Sequence, residues 1–142
     1  MKSKLLPVLV AMSLAACATT SRMSEPQRLA LYMQHAGEPV TQIRYHDPLG
    51  WNRIDDQHVV LDIRPSESWL LTVSGPCLSW GSASPTLSFS SLNGAFITAK
   101  IDQIATQGSP MSCRIEEIRP LDMKAVRAAQ DAINAGAQAS GT

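Results

Sequence analysis

Two runs of alternating side chains, separated by a four-residue turn, constrain this chain more than any other feature. In residues 58–63, Val59, Leu61 and Ile63 alternate with His58, Val60 and Asp62. In residues 68–73, Trp69, Leu71 and Val73 alternate with Ser68, Leu70 and Thr72. A period of two belongs to a β-strand with one buried face. Arg64-Pro65-Ser66-Glu67 between them has turn composition. The two runs therefore read as an antiparallel hairpin, which needs further strands or a helix to bury its apolar face.

The remaining strands are read the same way. Residues 40–45 form a candidate strand with Ile43 and Tyr45 on one face, and His46-Asp47-Pro48-Leu49-Gly50 is a turn. Residues 51–54 are short and extended, and Asp55-Asp56 breaks them. Gly75-Pro76-Cys77 ends the hairpin, and residues 79–85, rich in Gly, Ser and Pro, form a loop. Residues 86–90 follow with Leu87 and Phe89, then an Asn93-Gly94 turn. Residues 95–102 read as one strand with Ile97, Ala99 and Ile101 on one face, and residues 106–110 as loop. In residues 111–118, Cys113 and Ile115 are in phase while Ile118 is not. A bulge or strand end near Glu116-Glu117 accounts for that.

A helix is expected on each side of these strands. Ser24 caps the first, Gln27 three residues later completes a capping box, and Pro26 fits the first turn. Its face is Leu29, Tyr32, Met33 and Ala36, with His35 in the last turn and Gly37 as the stop. Pro120 is expected to separate the sheet from the second helix, which Asp122 caps and which runs from Met123 to about Ala135 on a thin stripe of Met123, Val126 and Ile133. The fold class is α+β: a twisted antiparallel sheet of about six strands, curled toward a partial barrel, with one N-terminal and one C-terminal helix.

The first residues have a different character. Lys2 and Lys4 precede a short apolar run, and small residues follow, as in a secretory signal peptide. The run is shorter than the roughly 20 residues that span a bilayer. Leu14-Ala15-Ala16-Cys17 resembles the bacterial lipobox, with Cys17 at its cysteine position. The resemblance implies cleavage before Cys17 and acylation of that residue with diacylglycerol and commonly a further fatty acid such as palmitate. Two or more chains hold a protein on a membrane stably. Ala18 rather than Asp follows the cysteine, which by the same resemblance implies the outer membrane, periplasmic side. Four segments follow: 1–16 signal peptide, 17–24 lipidated Cys17 and tether, 25–135 a single α+β domain, and 136–142 a frayed tail.

Removing residues 1–16 leaves 126 of the 142 residues, enough for one modest core. Without Lys2 and Lys4 the chain has 10 basic and 12 acidic residues, a formal net charge of −2. That balance gives no basic excess for nucleic acid. With Cys17 assigned to lipid, Cys77 and Cys113 remain as an even pair in an oxidising compartment, which favours a disulfide over two free thiols or a metal pair.

The order of these features resembles a family of small Gram-negative lipoproteins, frequent among xanthomonads. The resemblance is carried by Gly50-Trp51, Gly75-Pro76-Cys77, Cys113-Arg114-Ile115 and Ile118-Arg119-Pro120-Leu121-Asp122, and it spans about residues 28–128. It implies the lipid anchor and the paired cysteines. It implies no chemistry, because no activity is established for that family.

No nucleophile elbow, Ser-x-x-Lys, His-Glu-x-x-His or phosphate-binding glycine loop occurs in the sequence. His58 with Asp55 or Asp56, and His46 with Asp47, form an acid–base set only if they converge in a cleft. They read instead as turn aspartates and solvent-facing strand residues. Arg64, Glu67, Glu116 and Glu117 read as surface ion pairs. Trp51 and Trp69 read as core, and Trp80 in its polar loop is the candidate binding surface. The expected function is a periplasmic binding or assembly accessory module, without catalytic residues, cofactor or metal, whose partners are the membrane through Cys17 and an envelope protein or glycan. The alternatives are a small envelope hydrolase or transferase and a membrane-tethered enzyme inhibitor.

Overall fold

The computed structural model describes residues 22–79, 86–92 and 94–140. The leader, Cys17 and the greater part of the tether lie outside the described residues, as do Trp80 and most of the 79–85 loop.

The chain forms the expected α+β fold. Helix α1 (Glu25–Gln34) precedes strands β1 (Gln42–Arg44), β2 (Gly50–Arg53), β3 (His58–Arg64), β4 (Glu67–Val73), β5 (Leu87–Ser90), β6 (Phe96–Thr98), β7 (Gln103–Thr106) and β8 (Ser112–Leu121), and α2 (Met123–Ser140) ends it. Six strands make an antiparallel sheet in the order β2-β3-β4-β8-β7-β5, curled into a half-barrel. Strands β1 and β6 make a separate two-stranded ribbon.

The β3–β4 hairpin is as expected, joined by Pro65-Ser66, with Val59 opposite Leu71 and Asp62 opposite Ser68. One of its faces packs Val59, Leu61, Ile63, Leu71 and Val73 against Ile43 and Ile97 of the ribbon and Ile104, Ile115 and Ile118 of the sheet. Trp51 and Trp69 are half-buried at the margin of this core. The alternation predicts that the other face is exposed. Instead Val60 and Leu70 are 1% exposed, packed in a second core with Tyr32 of α1, Ile54, Leu121 and Val126 of α2. Both helices lie on that face, so two of the nominally outward positions are apolar for good reason.

Several boundaries differ from expectation. Ser24 and Gln27 form the capping box, with Gln27 Oε1 accepting the Ser24 N–H at 2.9 Å. However, α1 ends at Gln34 with His35 as its C-cap, and Leu31 is buried where Met33 is exposed. Gly37 is not the helix stop. It passes so close to β8 that a Cβ would lie 2.8 Å from Pro120 Cγ, and its N–H donates to the Pro120 carbonyl at 2.8 Å.

Pro120 does not separate sheet from helix. It lies inside β8 opposite Trp69. In an antiparallel strand the N and C=O of one residue point to the same side. Since the Pro120 carbonyl faces Gly37, the missing N–H also faces away from β4, and that ladder loses nothing. The bulge expected near Glu116-Glu117 is present: Thr72 pairs with Glu117 and Val73 with Ile115, leaving Glu116 as the extra residue.

The expected 95–102 strand is two strands. After β6 the chain turns through Lys100, whose φ of 70° is left-handed, and β7 begins at Gln103. Buried Asp102 holds the turn by accepting the Thr98 N–H at 2.7 Å. Ile101, assigned to the apolar face, is exposed. Thr106 belongs to β7 rather than to a loop. Helix α2 continues past Ala135 and Gly136 to Ser140, although Ile133 and all residues from Asp131 onward are exposed.

Cys77, in the loop after β4, is bonded to Cys113 of β8, with Cα atoms 5.9 Å apart. The closed loop contains 37 residues, both cysteines counted, for which chain entropy gives about 4 kcal/mol. Reduction is expected to lower unfolding free energy by up to about that amount, measured by urea denaturation with and without reductant. Leu70→Ala is expected to cost about 2–5 kcal/mol, as much as Leu71→Ala, because both faces of β4 are core. A Leu70→Ala variant as stable as the parent in the same assay would mean that the helices do not cover this face.

Candidate functional site

The β3–β4 turn, the end of α1 and the start of α2 meet at one end of the molecule. Hydrogen bonds hold them there: the Asp122 N–H donates to the His35 carbonyl at 3.1 Å, and Asp122 Oδ1 accepts the Ala125 N–H at 2.9 Å as the α2 cap. Ala36 and Leu121 pair as an isolated antiparallel bridge. Two adjoining clefts open around this junction, sharing Ser66, Ser68, Leu121 and Asp122.

The larger cleft, about 670 Å³, runs beneath the first turns of α2. Asp62 and Ser68 face each other across the hairpin, and Ser68 Oγ donates to Asp62 Oδ1. Arg64, Lys124 and Arg127 line the same space. Arg64 reaches Glu67 only at 3.7 Å. Lys124 and Arg127 form no ion pair among the described residues, although Asp62 and Asp122 line the same cleft. The smaller cleft, about 550 Å³, is lined by Gln34, His35, Glu67, Trp69 and Pro120. There the Trp69 indole N–H donates to Glu67 Oε1 at 3.0 Å.

A second polar group lies toward the opposite end of α1. His58 is half-buried rather than solvent-facing, and its Nδ1 contacts both oxygens of Asp55 at 2.8 and 2.9 Å. Asp56 is not part of that pair; it bonds the Arg53 guanidinium. Burial pushes the Asp55 carboxyl up, but hydrogen bonds from the Gln57 N–H and the His58 ring outweigh this and hold it below its ordinary value. Among the described residues no hydroxyl hydrogen-bonds the His58 ring. His46 is exposed in its turn, and His35 is the α1 cap. No group of three or more His, Cys, Asp or Glu among the described residues could hold a metal ion.

The charged strand ends form the expected surface pairs. Hydrogen bonds from Lys100 and Arg114 lower the Glu116 carboxyl, and Arg119 lowers Glu117. Arg53 links three segments: Glu25 of α1 at 2.8 Å, Asp56, and the Leu78 carbonyl beside the disulfide at 2.9 Å. The segment carrying residues 22–24 therefore enters the domain at the Arg53 end of α1, and the two clefts open at its other end. Ten helical residues separate them, about 15 Å.

Of the residues singled out in the sequence, the structure brings together Cys77 with Cys113 and Asp55 with His58. It does not bring His46, His35 and His58 into one site. The cleft residues Asp62, Ser68, Lys124 and Arg127 were not singled out. Hairpin register places Asp62 opposite Ser68, but nothing in the sequence placed α2 over that end.

A model described as a family of unknown function (DUF6491) matches residues 1–137. No curated protein and no solved structure matches the chain.

Because the Asp55 value is lowered, its contribution is complete above the unfolded value of about 3.9 and is lost as pH falls through the folded value. Asp55→Asn is expected to be less stable than the parent at pH 7, with the two stabilities converging from about pH 5 to pH 2. Denaturant midpoints across that range check this. Parallel curves for the two proteins would count against a lowered Asp55.

Proposed function

Since the chain belongs to a family of unknown function, DUF6491, we propose from its own residues that it is a lipid-anchored envelope protein of the periplasmic face of the outer membrane, acting as a binding or assembly module rather than as a catalyst. The observation that carries this reading is Leu14-Ala15-Ala16-Cys17 after a basic and apolar start, only eight residues before the first residue of α1. The family match includes that leader segment. The Cys77–Cys113 disulfide fits an oxidising compartment.

The geometry supports a short-range module. Seven residues, 18–24, separate Cys17 from the helix, with an r.m.s. reach of roughly 15 Å as a flexible chain. The anchored end of α1 then lies near the lipid, and the clefts at its far end open toward the periplasm. An enzyme-inhibitor role would rest on the 79–85 loop, which lies chiefly outside the described residues.

Intact mass and density-gradient membrane fractionation of the parent and Cys17→Ser test the anchor. The parent is expected in the outer-membrane fraction with a mass increment of three acyl chains and glycerol, and Cys17→Ser is expected to lose both. An unmodified parent in the soluble periplasmic fraction would overturn the anchor. Capture of neither envelope protein nor glycan after crosslinking in intact cells would overturn the module.

A further inference from the structure

We propose that the larger cleft is a binding site for an anionic saccharide, a sugar bearing a carboxylate or a phosphate. This deepens the binding-module reading by naming the ligand class and its site. Three cations, Arg64 from the hairpin and Lys124 and Arg127 from α2, line one cavity of about 670 Å³. Lys124 and Arg127 are exposed and without a carboxylate partner among the described residues, even though Asp62 and Asp122 line the same space. Each of the two acids has one oxygen engaged. Asp62 accepts from Ser68 through Oδ1, and Asp122 caps α2 through Oδ1.

That arrangement divides the ligand into two parts. Cations that have no internal partner favour a carboxylate or phosphate, because charge-assisted bonds from Lys and Arg are the strong ones. Asp62 Oδ2 takes no hydrogen bond from the protein among the described residues, and it sits half-buried on the cleft wall. It is an acceptor for a donor at the uncharged part of the ligand, and the Ser66 hydroxyl lines the wall beside it. Asp62 and the three cations line one cavity of about 670 Å³, and an acceptor sharing a cavity with cations matches a molecule that carries both hydroxyls and an anion. A bare anion leaves Asp62 without a role, and a neutral sugar leaves Lys124 and Arg127 without one.

The test uses the mature chain carrying Cys17→Ser, isotope-labelled, titrated with glucuronate, glucose 6-phosphate, glucose and inorganic phosphate while backbone amide shifts are followed. Glucuronate or glucose 6-phosphate is expected to shift Asp62, Ser68 and Lys124 and to bind at least about tenfold tighter than glucose or phosphate, a tenfold step being the size of one good charged contact. Which of the two acids binds tighter identifies the source as a uronate-type or phosphorylated sugar. The double variant Lys124→Gln, Arg127→Gln is expected to lose about tenfold or more in that affinity with an unchanged thermal melt, since neither side chain is buried. Asp62→Asn is expected to weaken the sugar acid while leaving phosphate no weaker than before, because a negative charge has been removed, a split that a merely structural role does not produce. Equal affinity for glucose, equal affinity for phosphate, shifts elsewhere in the domain, or no saturation by either sugar acid at millimolar concentration would each overturn the proposal. Because membrane fractionation and crosslinking test the anchor and the module separately, a lipid-anchored, partner-binding protein with a silent cleft refutes this inference alone.

Discussion

The structure depends on the β3–β4 ladder being buried on both faces. Leu61 and Leu71 point into the half-barrel, and Val60 and Leu70 point under the helices. Each buried aliphatic side chain contributes roughly 1.5–3 kcal/mol, so neither face alone explains the investment of four apolar positions in adjacent registers. A single sheet with one wet face would also leave α1 and α2 without a surface to pack on. Everything else is arranged around this hairpin: β2 extends it on one side, β8 joins it on the other, and the disulfide ties the loop after β4 to β8.

The half-barrel closes because the chain bends at defined places. The extra residue Glu116 lets β8 pair with β4 through its second half and with β7 through its first. The Lys100 turn, held by buried Asp102, sends β6 away from the sheet to pair with β1 and cover the first core. A bulge increases local twist, and a turn secured by a buried acceptor leaves no unsatisfied N–H. Pro120 fits the same design, since its missing donor faces Gly37 rather than the ladder.

The two ends of α1 make different contacts. Its first turn is tied by Arg53 to the disulfide loop. Its C-cap meets the α2 cap at the clefts. About 15 Å of helix thus separates the Arg53 contacts from the clefts. The exposed Lys124 and Arg127 of α2 stand at the far end.

The hairpin, the two helix starts, the Glu116 bulge and the cysteine pairing were legible in the sequence because each is a local pattern: a period of two, a capping box, a phase slip, an even count. Ser24 with Gln27 and Asp122 with Ala125 cap as their spacing requires. The second core, the β6–β7 break and the place of Pro120 were not legible, because each is decided by a neighbour remote in sequence. Val60 and Leu70 are covered only once the helices are placed, and Asp102 looks like the end of a strand until its carboxylate meets the Thr98 N–H. The resemblance of Leu14-Ala15-Ala16-Cys17 to a lipobox is a property of the sequence by itself. The cleft is a property of tertiary structure alone, since residues 62–68 and 122–127 become one surface only when α2 packs back across the hairpin.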